Sequence, residues 1–403
     1  MHAVPIDGRR LRVGARWPAL LRMHSAPPLR QIGLAALLVI FGLAVSTAVS
    51  TVAHLRLPAP TGAFAVGKVT ALLTDPARPE PATAAPADRR SVRLVTWYPA
   101  VAGTGEPAAY LADLDVIANG LIASGEMGAL EVAGLRLVGD PARTDADVEP
   151  SQATYPVLLL SPGNATNVEF YSALAEDLAS QGFVVIGLDH PFQVAAVALE
   201  GDVAVYAGDP PLGAAVEITP ARIDERVADI AFVLDQLEDG RSVGPLDGHL
   251  DLARIGVLGH SNGGVAAAQA CADSRIDACL NIDGQLAGGP FSSRPNPSAP
   301  TKPFMYLTKE TELHPSLAAL FEAGRDAIRA VVPEAAHDEF ADAAMFRPRV
   351  LPTATTADEV TTVSRGLVGA FFDHTLRDGP LTAFRGLAAP TDIEIYVYPL
   401  TSR

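Results

Sequence analysis

The chain has 403 residues and a mass of 42.0 kDa, of which 49% are apolar and 19% charged. This apolar content supports a large core and excludes a disordered or fibrous chain, and the length allows two or three domains. The formal net charge of −16 is unevenly placed: residues 1–56 hold seven arginines and one acidic residue, and the rest holds 23 basic and 45 acidic residues. Such an acidic body lacks the basic surface that binds a phosphate backbone, so no nucleic-acid partner is expected.

An uncharged segment runs from Gln31 to Ala53, and Ile32–Val45 is an unbroken run of apolar residues and glycine. As a helix it would reach roughly 34 Å, which is enough to cross a bilayer core of about 30 Å. Six arginines precede the segment, so the positive-inside rule places residues 1–30 in the cytoplasm as a cationic leader and the body outside.

Residues 31–55 are therefore interpreted as a transmembrane signal anchor or as a cleaved signal peptide. The long run and the long leader favour the anchor, whereas the small residues Ala48 and Ser50 fit a cleavage site. A buried core helix is the third interpretation. Both leading ones predict an extracytoplasmic protein, either anchored in the membrane or secreted.

The two cysteines, Cys271 and Cys279, could form a disulfide in an oxidising compartment or remain free buried thiols. The sequence shows no C-x-x-C or H-x-x-x-H pattern and no other metal-ligand spacing. We therefore expect neither a metal nor a cofactor.

The first part of the body has few regular signals. Residues 57–90 are rich in proline and alanine and predict an extended lead-in. Ser91–Tyr98 combines β-branched and aromatic residues, as is typical of a strand. Residues 102–150 have weak periodicity around short apolar pieces such as Leu114–Ile122, which predicts an insertion that shapes a pocket.

From Tyr155 onward, predicted strands and helices alternate. The strands are Pro156–Leu160, Phe183–Leu188, Arg254–Gly259, Cys279–Ile282, Phe304–Leu307 and Ile328–Val332. The helices are Val168–Ser180, Ala221–Leu237, Gly264–Ala272 and Asp358–Leu376. This alternation, with apolar runs buried on both faces, predicts an α/β fold with a mostly parallel sheet, and residues 57–403 form one domain.

One pentapeptide has the pattern of a reactive serine. Gly259-His-Ser-Asn-Gly263 has the G-x-S-x-G form and lies between a predicted strand and a predicted helix. A sharp turn there lifts the serine hydroxyl above the sheet edge, and the flanking glycines avoid a clash. Ser261 is the candidate nucleophile; the alternative is a tight glycine turn with an ordinary serine.

A nucleophilic serine needs a base, which is usually a histidine. Where the serine lies on such a strand–turn–helix, the histidine follows it along the sequence. Three histidines follow Ser261: His314, His337 and His374. His337 lies in a loop just after a predicted strand, where a base can reach the sheet edge, so it is the candidate base. The other two fall in predicted helices, where an ordinary histidine is expected.

The base in turn needs an acid to orient it. Asp283 ends the strand beside the nucleophile strand and is the candidate acid. Glu310 and Glu312, after the next strand, are the alternatives. For each of the three, the other interpretation is an ordinary carboxylate at the surface. Asp338 adjoins the base in sequence, so its side chain is expected to point elsewhere.

The oxyanion of a tetrahedral intermediate needs preorganised donors. The backbone N–H of Asn262, directly after the serine, is one candidate. The loop from Ser161 to Thr166 follows an earlier strand, and its Asn164 N–H is the second candidate. The alternative is a plain strand-to-helix turn.

The segments YPVLLLSPGNATN, FVVIGLDHP, GHSNGG, LNIDG and PEAAHDEFAD resemble the platelet-activating-factor acetylhydrolase-like branch of the α/β-hydrolases over roughly Pro60–Leu376. The resemblance implies an α/β-hydrolase fold, an acid about twenty residues after the serine, which matches Asp283, and a base in the motif around His337. The family usually has His-Gly in the oxyanion loop, where this chain has Pro162-Gly163. Related secreted cutin and polyester hydrolases share this layout.

The sequence thus predicts an exported serine ester hydrolase that acts through Ser261, His337 and Asp283 without a cofactor. Short-acyl or oxidised lipid esters, or polyesters, are the expected substrates. Two alternatives remain: an envelope acyltransferase that uses the same acyl-enzyme, and a non-catalytic binding protein that kept the fold. The sequence makes no prediction about the oligomeric state.

Overall fold

The fold is taken from a computed structural model that describes residues 56–125, 127–205, 220–241, 243–286, 302–313, 317, 321, 327–346, 356–386 and 393–398. All of them belong to one unit of the chain, Thr51–Arg403. The predicted cationic leader and the uncharged segment Gln31–Ala53 lie outside the described residues. Within the described ranges, no helix combines the length and apolar character needed to cross a membrane.

The described residues contain one large sheet and one separate hairpin. In chain order the strands are β1 (Ala65–Pro79), β2 (Arg89–Ala100), β3 (Glu106–Pro107), β4 (Arg143–Thr144), β5 (Tyr155–Ser161), β6 (Val184–Asp189), β7 (Ala196–Leu199), β8 (Asp202–Val205), β9 (Leu250–His260), β10 (Ala278–Ile282), β11 (Phe304–Thr308), β12 (Ala327–Val331) and β13 (Glu394–Tyr398). The order across the sheet is β13-β12-β11-β10-β9-β5-β6-β2-β1-β4-β3, and β7 pairs with β8.

The centre of the sheet is parallel. Strands β6, β5, β9, β10, β11 and β12 pair in parallel, whereas β2 and β13 are antiparallel to the parallel strands that they flank. Parallel strands end at the same edge, so the carboxyl ends of β5, β9, β10 and β12 bring the segments that follow them together.

The helices are α1 (Leu114–Ser124), α2 (Ala129–Leu135), α3 (Ser172–Ser180), α4 (Pro220–Glu238), α5 (Asn262–Ala270), α6 (Ala343–Phe346) and α7 (Ala357–Arg377). Two apolar clusters cover the two faces of the sheet. Helices α3 and α7 pack on one face with Leu158 and Leu160 of β5, and α4 and α5 pack on the other with Val157 and Leu159. Neighbouring residues of β5 belong to different clusters because successive side chains of a strand point to opposite faces of the sheet.

The prediction of an α/β fold with a mostly parallel sheet is confirmed, but two local predictions are wrong. The lead-in contains a strand, because β1 pairs antiparallel with β2 from Ala65↔Ala100 to Thr74↔Ser91. The prolines that suggested an extended linker lie mostly beyond this paired stretch. The single helix predicted over Val168–Ser180 begins as a 3-10 turn, Val168–Tyr171, before α3.

The insertion over residues 102–150 contains β3, β4, α1 and α2, and Lys68 of β1 holds it to the sheet. The Lys68 ammonium donates to the carbonyls of Ala109 and Tyr110 at 2.9 and 2.8 Å and to Asp140 Oδ2 at 3.0 Å. Both charged side chains are buried, at 4% and 0% exposure. Removing one partner of such a pair leaves the other charge buried without compensation, so the contact strongly fixes the insertion.

A second buried cation, Arg93 of β2, reaches the same segment. Its Nε donates to Asp113 Oδ2 at 2.8 Å, and its Nη1 donates to Asp189 and Glu169 at 2.7 and 3.1 Å. Glu169 in turn accepts from the backbone N–H of Ala112 at 2.8 Å. The insertion is therefore attached through charged groups as well as through its apolar side chains.

Cys271 and Cys279 form a disulfide, which decides between the two alternatives left by the sequence. Cys271 directly follows α5, the helix that begins after Ser261, and Cys279 lies on β10, the strand that leads to Asp283. The covalent bond therefore joins the element after the candidate nucleophile to the strand of the candidate acid.

Replacing both cysteines by alanine is expected to lower the free energy of unfolding by about 2–3 kcal/mol, because the short loop is no longer closed in the unfolded chain. Urea unfolding measures this change. Reductant should produce a similar loss in the wild type and none in the double variant. Equal midpoints for the two proteins without reductant would contradict the prediction.

Candidate active site

Ser261 occupies the turn between β9 and α5 in a conformation that few residues adopt. Its backbone has φ 54° and ψ −122°, which costs a non-glycine residue on the order of 1–3 kcal/mol. The turn is held from both sides, since Ser261 N–H donates to Ile282 O at 2.9 Å and its carbonyl accepts from Val265 N–H at 3.1 Å. The predicted strand, sharp turn and helix are therefore present.

The glycines on either side of the serine have no room for a side chain. A Cβ on Gly259 would lie 2.3 Å from the backbone of Gly263, and a Cβ on Gly263 would lie 2.0 Å from the carbonyl oxygen of Ser161. The turn and the end of β5 are thus packed backbone against backbone. This close approach explains the glycines of the pentapeptide on steric grounds.

His337 and Asp283, predicted as base and acid, are hydrogen-bonded. His337 Nδ1 lies 2.6 Å from Asp283 Oδ2. The other carboxylate oxygen accepts from Thr308 Oγ1 at 2.9 Å and from Lys309 N–H at 3.2 Å. The acid is 8% exposed, whereas the histidine side chain is 48% exposed. An anchored acid therefore orients a ring that remains accessible.

Asp283 is negatively charged at neutral pH. Burial by itself raises the pKa of its carboxyl, but the hydrogen bond and charge of His337 and the donors Lys309 and Thr308 outweigh burial and lower it. A carboxylate in this state accepts the Nδ1 proton of a neutral imidazole, which leaves Nε2 as the proton acceptor.

Ser261 and His337 share a cavity of about 440 Å³. Asn164 and Asn262, the residues predicted to supply the oxyanion donors, also line it. The apolar wall combines the insertion with the segments after β5 and β12 through Leu121, Met127, Phe170, Ala341 and Ala343. The structure thus brings the predicted nucleophile, base and oxyanion residues to one cavity, with the acid directly behind the base.

The alternatives considered from the sequence are placed differently. His374 lies in α7, and its Nδ1 donates to Gly379 O at 2.7 Å. His314 lies outside the described residues. Glu310 follows β11 as predicted, but Asp283 is the carboxylate that contacts the His337 ring. Asp338 is at the cavity wall, beside the base.

A second hydrogen-bonded Ser-His-Asp set was missed by the sequence reasoning. Ser161 Oγ lies 2.9 Å from His190 Nε2, and His190 Nδ1 lies 2.8 Å from Asp229 Oδ2. Ser161 ends β5, His190 follows β6 and Asp229 lies on α4. The DHP sequence around His190 resembles the family, but nothing in its spacing indicates these two partners.

This second set is enclosed by the protein. All three residues are 0% exposed, and burial lowers the pKa of His190 to about 4, so its ring is neutral at pH 7. Burial alone would raise the pKa of Asp229, but the charge of Arg90 and the hydrogen bond of His190 outweigh burial and place it well below its usual range. Arg90 bonds both oxygens of this carboxylate, at 3.1 and 2.7 Å.

Arg226 of α4 connects the buried set to the oxyanion loop. Its Nη1 donates to Pro162 O at 2.6 Å and lies 3.4 Å from Ser161 Oγ, and its Nε donates to Gln193 Oε1 at 2.8 Å. Burial lowers the pKa of Arg226 to about 10, so the guanidinium remains charged at neutral pH. The loop that carries Pro162-Gly163 is therefore held from beneath by a cation.

Parts of the chain are similar to known proteins. Residues 51–203 match the model of the family described as platelet-activating factor acetylhydrolase, isoform II. A ferulic acid esterase from Streptomyces cinnamoneus aligns with a TM-score of 0.64 and 26% identity over 84% of this chain and 98% of that one. The matched residues are similar to that family, and the whole chain has the fold of an α/β-hydrolase. The resemblance noted in its motifs is thereby confirmed.

A curated relative of this α/β-hydrolase carries a more specific name. It is a probable 1-alkyl-2-acetylglycerophosphocholine esterase of Arthroderma benhamiae, which is 35% identical over 164 residues. The matched part makes up 40% of this chain and 40% of the relative. The chain thus matches less than half the length of that curated protein.

Gly263→Ala is expected to lower the thermal unfolding temperature and to abolish most hydrolysis of p-nitrophenyl acetate, because its Cβ would displace either the serine turn or the Ser161 carbonyl. Gly134→Ala in α2 is the matched control, since nothing lies within 4 Å of its new methyl group and alanine favours a helix. Hydrolysis of p-nitrophenyl acetate and thermal unfolding measure both effects. Full activity in Gly263→Ala would contradict the close packing described above.

Proposed function

We propose that the chain hydrolyses carboxylic esters with Ser261 as nucleophile, His337 as general base and Asp283 as orienting acid. The observation that carries the proposal is the shared cavity, in which Ser261 stands on a strained turn beside a histidine bonded to a buried carboxylate at 2.6 Å. Two similar proteins are named as esterases, which supports the same reaction class.

In the proposed mechanism, His337 Nε2 takes the hydroxyl proton of Ser261 as Oγ attacks the ester carbonyl. The backbone N–H groups of Asn262 and Asn164 donate to the oxyanion that forms. Collapse of this intermediate transfers the proton from His337 to the leaving alcohol and leaves an acyl-enzyme. Water, deprotonated by the same histidine, then releases the carboxylic acid and restores Ser261.

The buried set around Ser161 is better suited to a structural role. A nucleophile must meet the carbonyl carbon of its substrate, but Ser161, His190 and Asp229 have no exposed surface. The chain order of these three residues also differs from the serine, acid, histidine order of α/β-hydrolases. Their contacts with Arg226 and Arg90 instead tie β5, β6 and α4 together beneath the oxyanion loop.

The cavity favours a short acyl group. Its volume of about 440 Å³ is near the lower end of ligand pockets, which span roughly 300–1,000 Å³. Leu121, Met127 and Phe170 give the cavity an apolar wall that suits an acyl chain. We therefore propose short-acyl or oxidised lipid esters as substrates, with polyester chain ends as a second class.

Ser261→Ala is expected to lower kcat for p-nitrophenyl acetate by at least about 10⁴-fold, because the acyl-enzyme can no longer form. Ser161→Ala is the matched control and should still be labelled covalently by a fluorophosphonate probe, whereas Ser261→Ala should not. Labelling of Ser261→Ala together with loss of labelling in Ser161→Ala would assign the nucleophile to the buried set and overturn the proposal.

We also propose that the catalytic body lies outside the cytoplasm, attached by residues 31–55 or released after cleavage. The arginine-rich leader before an uncharged segment supports this location, and so does the Cys271–Cys279 disulfide, since disulfides persist in oxidising compartments.

An alkaline phosphatase reporter fused after Arg403 tests this location, because that enzyme folds only where its disulfides form. We expect reporter activity in cells that express the full chain and loss of activity when residues 1–56 are removed. Equal reporter activity for the two fusions would contradict the proposal, and equal expression of both should be checked by immunoblot.

A further inference from the structure

A hydrogen-bond chain joins the oxyanion loop to the loop of the candidate base through two side chains outside the proposed triad. Gly163 N–H donates to Tyr171 Oη at 3.0 Å, and Tyr171 Oη lies 2.8 Å from His260 Nδ1. His260 Nε2 lies 3.0 Å from the backbone carbonyl of His337. Tyr171 and His260 are 1% and 4% exposed, so water does not compete for these bonds.

The groups at the two ends of this hydrogen-bond chain fix which atom donates in each of its bonds. The amide of Gly163 can only donate, so the single hydroxyl proton of Tyr171 remains for His260 Nδ1. The carbonyl of His337 can only accept, so His260 Nε2 carries the ring proton. Both ends therefore require the same neutral tautomer of His260, and burial lowers its pKa to about 3, which keeps it neutral.

The groups at the two ends belong to the proposed machinery. Gly163 directly precedes Asn164, whose N–H is the proposed oxyanion donor, and the accepting carbonyl is that of His337 itself. The rings of His260 and His337 also lie in contact, with centroids 4.6 Å apart and planes inclined by 35°. The hydrogen-bond chain thus sets the position of the Asn164 N–H relative to His337 across the cavity.

We propose that Tyr171 and His260 are positioning residues, which hold the oxyanion loop and the base loop in the relative geometry that ester hydrolysis needs. The inference rests on the proposed function of Ser261, His337 and Asp283. Bonds of this kind are strengthened by a low-dielectric surrounding and by their neighbours in a chain. A displacement of about 1 Å in such a site can cost about 100-fold in rate.

Tyr171→Phe separates this role from simple packing, because phenylalanine fills the same space without the hydroxyl. We expect kcat for p-nitrophenyl acetate to fall about 10- to 100-fold while KM changes less than about threefold, since the lost contact acts on the transition state. Affinity for a trifluoromethyl ketone, which forms an oxyanion with the serine, should fall by a similar factor.

Tyr98→Phe is the matched control. Its hydroxyl is also buried and donates to a backbone carbonyl, that of Ala146, at 2.7 Å, but it lies on β2 away from the cavity. Tyr171→Phe loses two buried hydrogen bonds and Tyr98→Phe loses one, so both variants should lose stability. Only Tyr171→Phe should lose kcat.

His260 provides a second test. His260→Gln can accept from Tyr171 with Oε1 and donate to the His337 carbonyl with Nε2, so it should retain more of kcat than His260→Leu, which can do neither. Combined with His260→Leu, Tyr171→Phe should add little further loss, because the chain is already broken.

The inference is overturned if Tyr171→Phe matches Tyr98→Phe in kcat and in ketone affinity, or if the losses of the double variant multiply. These outcomes differ from failure of the proposed function. Activity retained by Ser261→Ala would refute the nucleophile, whereas an inactive Ser261→Ala beside a fully active Tyr171→Phe would refute the positioning chain alone.

Discussion

The backbone contact between the serine turn and the end of β5 is the constraint on which the site depends. Gly259 and Gly263 allow the turn to approach the Ser161 carbonyl more closely than any side chain permits. This contact sets Ser261 beside the oxyanion loop and also gives the loop a rigid base. The strain of the positive φ at Ser261 is sustained by the backbone hydrogen bonds that Ser261 makes to Ile282 and Val265 on either side of the turn.

The chain contains two hydrogen-bonded sets of serine, histidine and aspartate, and they differ in how far they are buried. In the first set, His337 is about half exposed and Asp283 anchors it, which suits proton transfer at a cavity. In the second, every member is enclosed and Asp229 is bonded to Arg90, so the same pattern of bonds stabilises the junction of three elements. Hydrogen-bond geometry therefore does not assign a catalytic role without access to substrate.

The local motifs were predictable, but the long-range supports were not. The strand, turn and helix around Ser261 and the strands that place Asp283 and His337 follow from short patterns and chain order. Strand β1 was not predicted, because the prolines at its end suggested an extended linker and not a strand paired with β2. The bonds from Arg90 to Asp229 and from Tyr171 to His260 join residues 139 and 89 positions apart. Sequence periodicity contains no signal for such pairs, since each side chain is set by its three-dimensional partners.

The attachment of the insertion has a consequence for how the cavity responds to salt in the solvent. Leu121 and Met127 reach the cavity from a segment held to the sheet by Lys68 and Arg93, whose charges are almost completely covered. Dissolved ions screen exposed charge pairs within about 10 Å at 0.1 M salt, but they have little effect on pairs that they cannot surround. The wall of the cavity should therefore keep its position from dilute buffer to concentrated brine.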